Sequence, residues 1–234
     1  MVAGTFFRMG KQGTHIVWDW NGTLFHDIDA VVGASNAAFA EIGLGPVTVE
    51  QYRELYCVPV PRFYERRLGR LPTESEWLVM DAAFQRHYTA HRVGCGLTDG
   101  VEALLAGWRG AGRSQSLLSM FGHEELVPLV RAFGIDASFT LVEGRTGPSG
   151  GTKAEAMARH VAALGVLDVS RVLVIGDAVD DAVAARSVGA DAVLYTGGSH
   201  SRAALEGAGV PVVDSLAEAV AVAEELAGQP LRRR

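Results

Sequence analysis

The 234-residue chain is poor in cysteine, carries no excess of basic residues and contains no long apolar run. Its two cysteines, Cys57 and Cys95, lie far apart and outside any CxxC pattern, which argues against a disulfide framework and favours a cytoplasmic location. A net charge of −6 argues against a dedicated nucleic-acid-binding protein. Because no apolar run reaches the roughly 18 residues of a membrane-spanning helix, we predict no membrane partner. The N-terminal segment lacks the pattern of a signal peptide, so none is expected.

Short apolar runs alternate with helical segments over much of the sequence. Six of these runs are apolar on both faces, as the buried strands of a parallel sheet are. The six predicted strands are His15–Asp19, Ser116–Ser119, Phe139–Val142, Val172–Ile175, Ala192–Tyr195 and Val210–Val213. Helical segments separate them from residue 100 onward. Strand–helix alternation of this kind predicts an α/β fold with a doubly wound, Rossmann-like parallel sheet.

The interval between the first two predicted strands breaks this alternation. It contains no convincing apolar strand, but two capping boxes mark helix starts: Thr48 with Gln51, and Thr73 with Glu76. The segments of helical composition are Ala30–Ile42, Val49–Leu55, Arg62–Leu68 and Glu74–Arg92. The interval therefore reads as an all-helical insertion.

This insertion divides the chain into two predicted domains. Residues 27–95 form a helical cap, and residues 1–26 and 96–234 together form the α/β core. A strand–helix–strand crossover needs only about 30 residues, so the long separation between the first two strands leaves room for such a cap.

Polar side chains stand at the ends of several predicted strands. Asp19, Ser119 and Asp177 end the first, second and fourth strands, and Lys153 opens a helix after the third. Ligands bind at the carboxyl ends of strands in an open parallel sheet, so we expect these residues to converge. Asp181, four residues after Asp177, can face the same ion. Hard oxygen ligands without histidine or cysteine suit Mg²⁺.

The same residues resemble the four motifs of the haloacid dehalogenase-like hydrolase superfamily. Residues 19–24 (DWNGTL) are similar to the first motif, DxDGT[LV], and residues 176–181 (GDAVDD) match the fourth, GDxxxD. Ser119 and Lys153 stand where the second and third motifs are expected. The resemblance covers about residues 14–227 and is strongest to the phosphoglycolate phosphatase-like branch, whose helical cap follows the first motif. Residues 56–59 (YCVP) resemble that branch's specificity loop, with cysteine where glycine is usual.

The resemblance implies a Mg²⁺-dependent phosphatase that acts on a small phosphorylated metabolite. Asp19 would be the nucleophile that forms an aspartyl-phosphate, steadied by Lys153. The implied metal ligands are Asp19, the backbone carbonyl of Asn21, Asp177 and Asp181. The expected substrate contacts are Thr23, Ser119 and Lys153 in the core, with Arg62 and Tyr64 in the cap because they follow the Pro59 loop.

Asn21 is the main departure from the family pattern. Phosphatases of the superfamily place an aspartate there as general acid/base, whereas an asparagine cannot exchange a proton at neutral pH. Three alternatives follow. The enzyme is slow or uses a substrate with a good leaving group, such as an acyl phosphate; or another group, such as His26 or a cap residue, supplies the proton; or the protein binds phosphate esters in a regulatory role.

Two other reactions of the superfamily fit the sequence less well. Dehalogenases work without a metal, so the Asp177–Asp181 pair argues against carbon–halogen cleavage. Phosphonate-cleaving members use a cap lysine to form a Schiff base, and no lysine occurs between Lys11 and Lys153. Phosphate-ester hydrolysis therefore remains the predicted activity.

Overall fold

The computed structural model describes residues 14–147, 151–165 and 168–228. Lys11 and the first 13 residues of the predicted core segment 1–26 lie outside these ranges, as do residues 229–234. The strands of the described part are β1 (His15–Trp18), β2 (Phe25–His26), β3 (Gly96–Leu97), β4 (Ser114–Gly122), β5 (Val142–Arg145), β6 (Val172–Gly176), β7 (Asp191–Tyr195) and β8 (Val212–Val213).

Six of these strands form one parallel sheet in the order β5-β4-β1-β6-β7-β8. Strand β1 pairs with β4 on one side and with β6 on the other, and both pairings are parallel. The chain therefore winds outward from β1 in both directions. This topology confirms the predicted doubly wound, Rossmann-like α/β fold.

The helices cover both faces of the sheet and fill the insertion. They are α1 (Ile28–Glu41), α2 (Val49–Leu55), α3 (Val60–Leu68), α4 (Glu74–His91), α5 (Val101–Gly110), α6 (His123–Ala132), α7 (Lys153–Leu164), α8 (Val179–Val188), α9 (Arg202–Glu206) and α10 (Leu216–Gly228). The short helix α9 was not predicted; the others fall where helices were expected, α2 with the predicted bounds and the rest with shifted ends.

The two faces of the sheet bury separate apolar clusters. In β1, Ile16 and Trp18 point to one cluster, which includes Leu105 of α5, while Val17 points to the other, which includes Met157 of α7. Successive side chains of a strand point to opposite faces, so a strand covered on both sides must be apolar throughout. This burial explains the unbroken apolar runs that predicted the sheet.

The insertion leaves and rejoins the core through a short antiparallel ribbon of β2 and β3, in which Phe25 pairs with Leu97 and His26 with Gly96. Helices α1–α4, here called the cap helices, lie between its strands. Both predicted capping boxes, at Thr48 and Thr73, are formed. The ribbon itself was missed because each strand has only two residues, too few to show an alternating pattern.

Two strand predictions need correction. The third strand was predicted at Phe139–Val142 but lies at Val142–Arg145. Phe139 packs against the core from a loop, while the edge strand carries the polar Glu143 and Arg145, so hydropathy does not mark it. Likewise β4 extends beyond Ser119 to Gly122, with an irregular register after Leu118.

A network of hydrogen-bonded, mostly buried polar side chains lies across the sheet, away from the carboxyl ends of its strands. His15 Nδ1 and Nε2 each lie 2.8 Å from a hydroxyl oxygen, those of Ser114 and Ser116. Ser116 Oγ is also 2.8 Å from His160 Nε2, and His160 Nδ1 is 2.5 Å from Glu143 Oε2. Burial, with a smaller effect of His160, lowers the pKa of His15 to about 4.

Acidification is expected to destabilise the protein through His15. Its pKa is about 4 in the folded chain and 6.5 ordinarily, so the unfolded chain takes up a proton that the folded chain does not. The contribution of His15 to the free energy of unfolding should therefore fall by up to about 3 kcal/mol as the pH drops from about 6.5 to 4. Asp177, whose pKa is raised to about 7, opposes this loss over the same range. Denaturant titrations of the native protein and of His15→Gln at pH 7 and 4.5 therefore isolate the contribution of His15 by difference. The native protein should lose more stability, or gain less, than His15→Gln, and parallel changes in both proteins would contradict the assignment.

Candidate active site

The site is built around Asp19, which directly follows the central strand β1. Its backbone N–H donates to the carbonyl of Ile175 on β6, 2.9 Å away, and the residue is only 6% exposed. Because β4 and β6 lie on opposite sides of β1, Asp19 stands where the winding of the sheet reverses. A crevice at that point is the usual ligand site of open α/β sheets.

Three carboxylates meet at this edge of the sheet. Asp177 follows β6, Asp181 lies in the first turn of α8, and one oxygen from each of these and from Asp19 lies within 4.8 Å of the others. Asp177 is 3% exposed and Asp181 is fully buried. Residues that the sequence separates by more than 150 positions are thus brought into one acidic cluster.

Backbone groups hold two of these carboxylates in place. Asp177 Oδ2 accepts a hydrogen bond from the N–H of Ser199 at 2.7 Å, and Asp181 Oδ2 accepts one from Ala178 at 3.1 Å. The Asp177 carboxylate is also packed against two glycines. A Cβ added at Gly22 would lie 2.5 Å from Asp177 Oδ2, and one at Gly198 would overlap it. The close approach of both backbones explains why glycine occupies these positions.

Lys153, the first residue of α7, supplies the positive charge of the cluster. Thr152 caps the helix by accepting a hydrogen bond from the N–H of Glu155. This cap fixes Lys153 as the first residue of the helix. Its Nζ lies 2.7 Å from Asp19 Oδ1 and 2.5 Å from Asp181 Oδ1. Burial lowers the pKa of Lys153, but Asp181 and Asp19 outweigh this effect and hold it well above its usual value.

The cluster carries more negative charge than Lys153 can balance. Burial raises the pKa of Asp19 and of Asp181, although Lys153 opposes both shifts. Burial and then the neighbouring Asp181 raise the pKa of Asp177 to about 7. Three buried carboxylates around one ammonium group favour the uptake of a further cation. Oxygen donors alone match the preference of Mg²⁺, so the residues present fit that ion.

Asn21, two residues after Asp19, belongs to a second hydrogen-bonded group. Its Nδ2 donates to Asp27 Oδ2 and to the hydroxyl oxygen of Tyr88, both at 2.7 Å. The Tyr88 hydroxyl itself donates to Asp27 Oδ2 at 2.7 Å, and the N–H of Gly22 donates to Asp27 Oδ1 at 2.9 Å. The amide of Asn21 therefore complements a buried carboxylate and ties the loop after β1 to cap helix α4.

Ser119 and Thr23 differ in their access to the site. Ser119 is buried, lines the cavity described below, and its Oγ accepts from the N–H of Phe121 at 3.0 Å. Thr23 is fully buried and is not among the described residues that line the cavity. Its backbone carbonyl instead accepts from the Thr98 hydroxyl at 2.6 Å, next to the ribbon.

A cavity of about 510 Å³ lies between the acidic cluster and the cap helices, and is here called the active-site cavity. Tyr64, a predicted substrate contact, is among the residues that line it. Arg62 is not among its described lining residues: its side chain is 59% exposed and pairs with Glu65 at 2.5 Å. His26, one suggested proton source, is exposed on the ribbon.

Sequence reasoning missed Asp27 and Tyr88, the two partners of Asn21. Asp27 precedes α1 and carries the local pattern of an ordinary helix N-cap, but its side chain makes no such cap. It is buried instead, and burial raises its pKa despite the hydrogen bonds from Tyr88 and Asn21. Tyr88 was hidden within a helix of mixed polarity. The sequence offers one signal for this group: a polar residue, Asp27, stands between the first motif and the long helical insertion.

Comparison with known proteins agrees with the geometry. The family model described as haloacid dehalogenase-like hydrolase matches residues 14–189. A phosphoglycolate phosphatase from Synechococcus elongatus is 28% identical over 190 residues, covering 81% of this chain and 87% of that protein. A phosphoglycolate phosphatase from Cereibacter sphaeroides is 29% identical over 199 residues, covering 78% and 85%.

The fold alone is similar to many solved structures. A haloacid dehalogenase-like hydrolase from Streptococcus pneumoniae has a TM-score of 0.75 at 17% identity, with coverage of 90% of this chain and 98% of that one. Fold, acidic cluster and relatives together define a hydrolytic enzyme. The chain belongs to the haloacid dehalogenase-like hydrolase family, which its model matches over most of the sequence.

Membership of this family confirms the predicted resemblance, including its phosphoglycolate phosphatase-like branch, and confirms the prediction of an enzyme. In the described part of the chain, no helix combines the length and apolar character needed to cross a membrane.

Proposed function

We propose that the chain is a Mg²⁺-dependent phosphohydrolase of a small phosphorylated metabolite, acting through an aspartyl-phosphate on Asp19. The observation that carries this proposal is that Asp19, a member of the acidic cluster, pairs with Lys153 and lines the active-site cavity. Lys153 bonds Oδ1, so we assign Oδ2 as the attacking atom. A carboxylate held in this way is a suitable nucleophile for phosphorus.

Each residue of the cluster has a role in this mechanism. Oδ2 of Asp19 forms a bond to phosphorus as the ester P–O bond breaks, and water then cleaves the aspartyl-phosphate to release inorganic phosphate. Ser119 and Lys153 contact the phosphoryl oxygens and neutralise part of their charge. Mg²⁺ would be held by Asp19, the Asn21 carbonyl, Asp177 and Asp181. When bound, it supplies positive charge to the phosphoryl group.

Phosphate release tests the proposal directly. The full chain is incubated with a panel of phosphate monoesters, beginning with phosphoglycolate because the relatives are named for it, at fixed Mg²⁺ with and without EDTA. We expect turnover of at least one ester that EDTA abolishes and added Mg²⁺ restores. Turnover that is insensitive to EDTA would refute the metal-dependent mechanism.

Magnesium is also expected to stabilise the folded chain. At a free concentration about 100-fold above Kd, an ion that binds only the folded state adds about 2.7 kcal/mol. For a chain of this size that raises Tm by about 5–11 °C. Thermal unfolding with and without Mg²⁺ should show this rise in the native protein and in Asp191→Asn, whose carboxylate is exposed on β7. The rise should be lost in Asp177→Asn; an equal rise in both variants would contradict the site.

A second candidate function rests on Asn21. Both N–H groups of its amide are engaged, with Asp27 and Tyr88, and the amide is not an acid or base near neutral pH, which favours a phosphate-ester-binding or regulatory protein with weakened catalysis. Calorimetric binding of an ester in Mg²⁺, without phosphate release over hours, would support this function. Rapid turnover of any ester in the panel would exclude it.

We further propose that residues 27–95 form a separate cap domain on the core made of residues 1–26 and 96–234. The ribbon at both ends of the cap helices supports this division, as does their own apolar cluster, which includes Phe39, Phe63 and Met80. Limited proteolysis that cuts near the ribbon and leaves both parts intact would support the boundaries. Cleavage within the cap helices first would contradict them.

We also propose a cytoplasmic location and a small metabolite, rather than nucleic acid or membrane, as the binding partner. Both Cys57 and Cys95 are free thiols, and the net charge is negative. Fractionation of the host cell tests the location, and recovery of the protein in the membrane fraction would contradict it.

A further inference from the structure

The walls of the active-site cavity above the acidic cluster are largely aromatic. Seven rings from the cap helices and the segment between them line it: Tyr52, Tyr56, Phe63, Tyr64, Trp77, Phe84 and Tyr88. Neighbouring rings pack with centroids 5.2–5.8 Å apart, for example Tyr52 on Phe63 and Tyr64 on Trp77. Such walls favour an aromatic guest, which can stack or meet a ring edge-to-face.

The same walls offer no free positive charge. Of the described residues that line the cavity, Lys153 is the one cation, and Asp19 and Asp181 already pair with it. Asp81 and Asp180 add negative charge to the wall. A substrate with a second anionic group, such as the carboxylate of phosphoglycolate, would meet carboxylates there and no counter-ion.

Arginines of the cap helices do not fill this gap, because none is among the described residues that line the cavity, and three of them bond to other groups. Arg53 Nε donates to the carbonyl of Gly198 at 2.8 Å, and Arg66 Nη1 donates to a backbone carbonyl at 3.0 Å. Arg62 pairs with Glu65. The distribution of charge therefore disfavours a substrate that carries an anionic group beyond the phosphate.

Asn21 adds an independent constraint on the leaving group. Without an acid at this position, the ester oxygen must leave as an anion and take its proton from water later. A phenol ionises near pH 10, as tyrosine does, whereas water ionises near 16 and simple alcohols are similarly weak acids. An aromatic leaving group therefore meets the requirements of both the cavity wall and Asn21.

From these observations we infer that the substrate is a phosphate monoester of a phenol without an anionic group, an inference that rests on the proposed function. In the first step Oδ2 of Asp19 forms a bond to phosphorus and the P–O(aryl) bond breaks. The aryl oxygen keeps the bonding electron pair, leaves as the phenolate and is protonated by bulk water. The cavity volume of about 510 Å³ lies within the range of small-ligand sites and accommodates a phosphate with an aromatic ring.

A four-ester comparison at fixed Mg²⁺ tests the inference with the full chain. Phenyl phosphate is compared with cyclohexyl phosphate, which is similarly apolar but has an alcohol leaving group, with phosphoglycolate, whose leaving group is anionic, and with phosphocholine, whose leaving group is cationic. We expect kcat/KM for phenyl phosphate to exceed the value for each of the other esters by at least about 100-fold. Its KM should also be lower than that of cyclohexyl phosphate, the other apolar ester. Substituted phenyl phosphates should react faster as the leaving phenol becomes more acidic.

A charge reversal in the cavity wall separates recognition by the cap from the intrinsic reactivity of aryl esters. Asp81→Arg places a cation in the wall and should raise kcat/KM for phosphoglycolate relative to phenyl phosphate by about 10-fold or more. Asp191→Arg, the same reversal at an exposed position on β7 outside the cavity lining, should leave the ratio unchanged.

Several outcomes would overturn the inference while the proposed function stands. These are preference for phosphoglycolate or phosphocholine, equal rates for phenyl and cyclohexyl phosphate, or a ratio that Asp81→Arg does not change. If no ester is hydrolysed, the proposed function fails, and the substrate inference fails with it. Calorimetric affinities in Mg²⁺ then test the cavity alone: tighter binding of phenyl phosphate than of phosphoglycolate supports only the aromatic selectivity of the cavity, and the reverse order refutes that as well.

Discussion

Replacing Asp19 with asparagine is expected to lower phosphate release by about 10⁴-fold or more, since loss of a covalent nucleophile has effects of this size in other hydrolases. The substitution keeps the shape of the side chain but removes the charge that attacks phosphorus. An asparagine can still accept a hydrogen bond from Lys153, which retains its ion pair with Asp181 at 2.5 Å. The fold of the cluster should therefore survive.

The matched control is Asp191→Asn, which removes an exposed carboxylate on the same sheet. Both variants should show native circular dichroism, and neither should have a lower Tm, because Asp19 is a buried carboxylate in a cluster with excess negative charge. Steady-state phosphate release against the best ester of the panel gives the rates. If Asp19→Asn retains turnover within 10-fold of the native protein, the covalent mechanism is wrong, whereas equal losses in both variants would point to the assay or the fold.

The positions of Asp19 and Asp177 could be predicted because each follows a strand that is buried on both faces. A strand of this kind can be recognised locally, because its sequence is an unbroken apolar run. The residue that follows the strand then lies at the carboxyl edge of the sheet. The positions of Lys153 and Asp181 could be predicted in the same way, because each lies in the first turn of a helix that begins at this edge. Local sequence thus indicates the acidic cluster, even though its members are far apart in the chain.

The surroundings of Asn21 could not be predicted, because they depend on contacts between distant segments. Asp27 and Tyr88 reach Asn21 only after the ribbon closes and α1 packs on α4. A buried Asp27 and an exposed N-cap aspartate have the same local sequence. Arg62 was predicted to contact the substrate because it follows the Pro59 loop. In the structure its side chain, in the first turn of α3, points to solvent and pairs with Glu65.

Introducing the missing acid through Asn21→Asp is expected to raise kcat by about 10²–10⁴-fold for alkyl phosphates, the usual contribution of general acid–base catalysis. Phenyl phosphate should gain much less, because its leaving oxygen needs little protonation. The new carboxylate would stand where Asn21 Nδ2 now lies 2.7 Å from Asp27 Oδ2, so the two groups would share a proton. That sharing raises the pKa of the pair and keeps an acid available near neutral pH.

Repulsion in this pair could also disturb the loop, so a second variant exchanges the two residues. In Asn21→Asp/Asp27→Asn the amide and the carboxylate change places, and the hydrogen bond between positions 21 and 27 can form in the opposite direction. Tyr88 lies 2.7 Å from both side chains and its hydroxyl can donate to the relocated carboxylate. We expect this exchange to show the same gain with alkyl phosphates, whereas Asp27→Asn alone should show none. A gain in Asp27→Asn alone, or no gain in either variant that carries Asn21→Asp while Mg²⁺ still stabilises it, would mean that the proton comes from a group other than position 21.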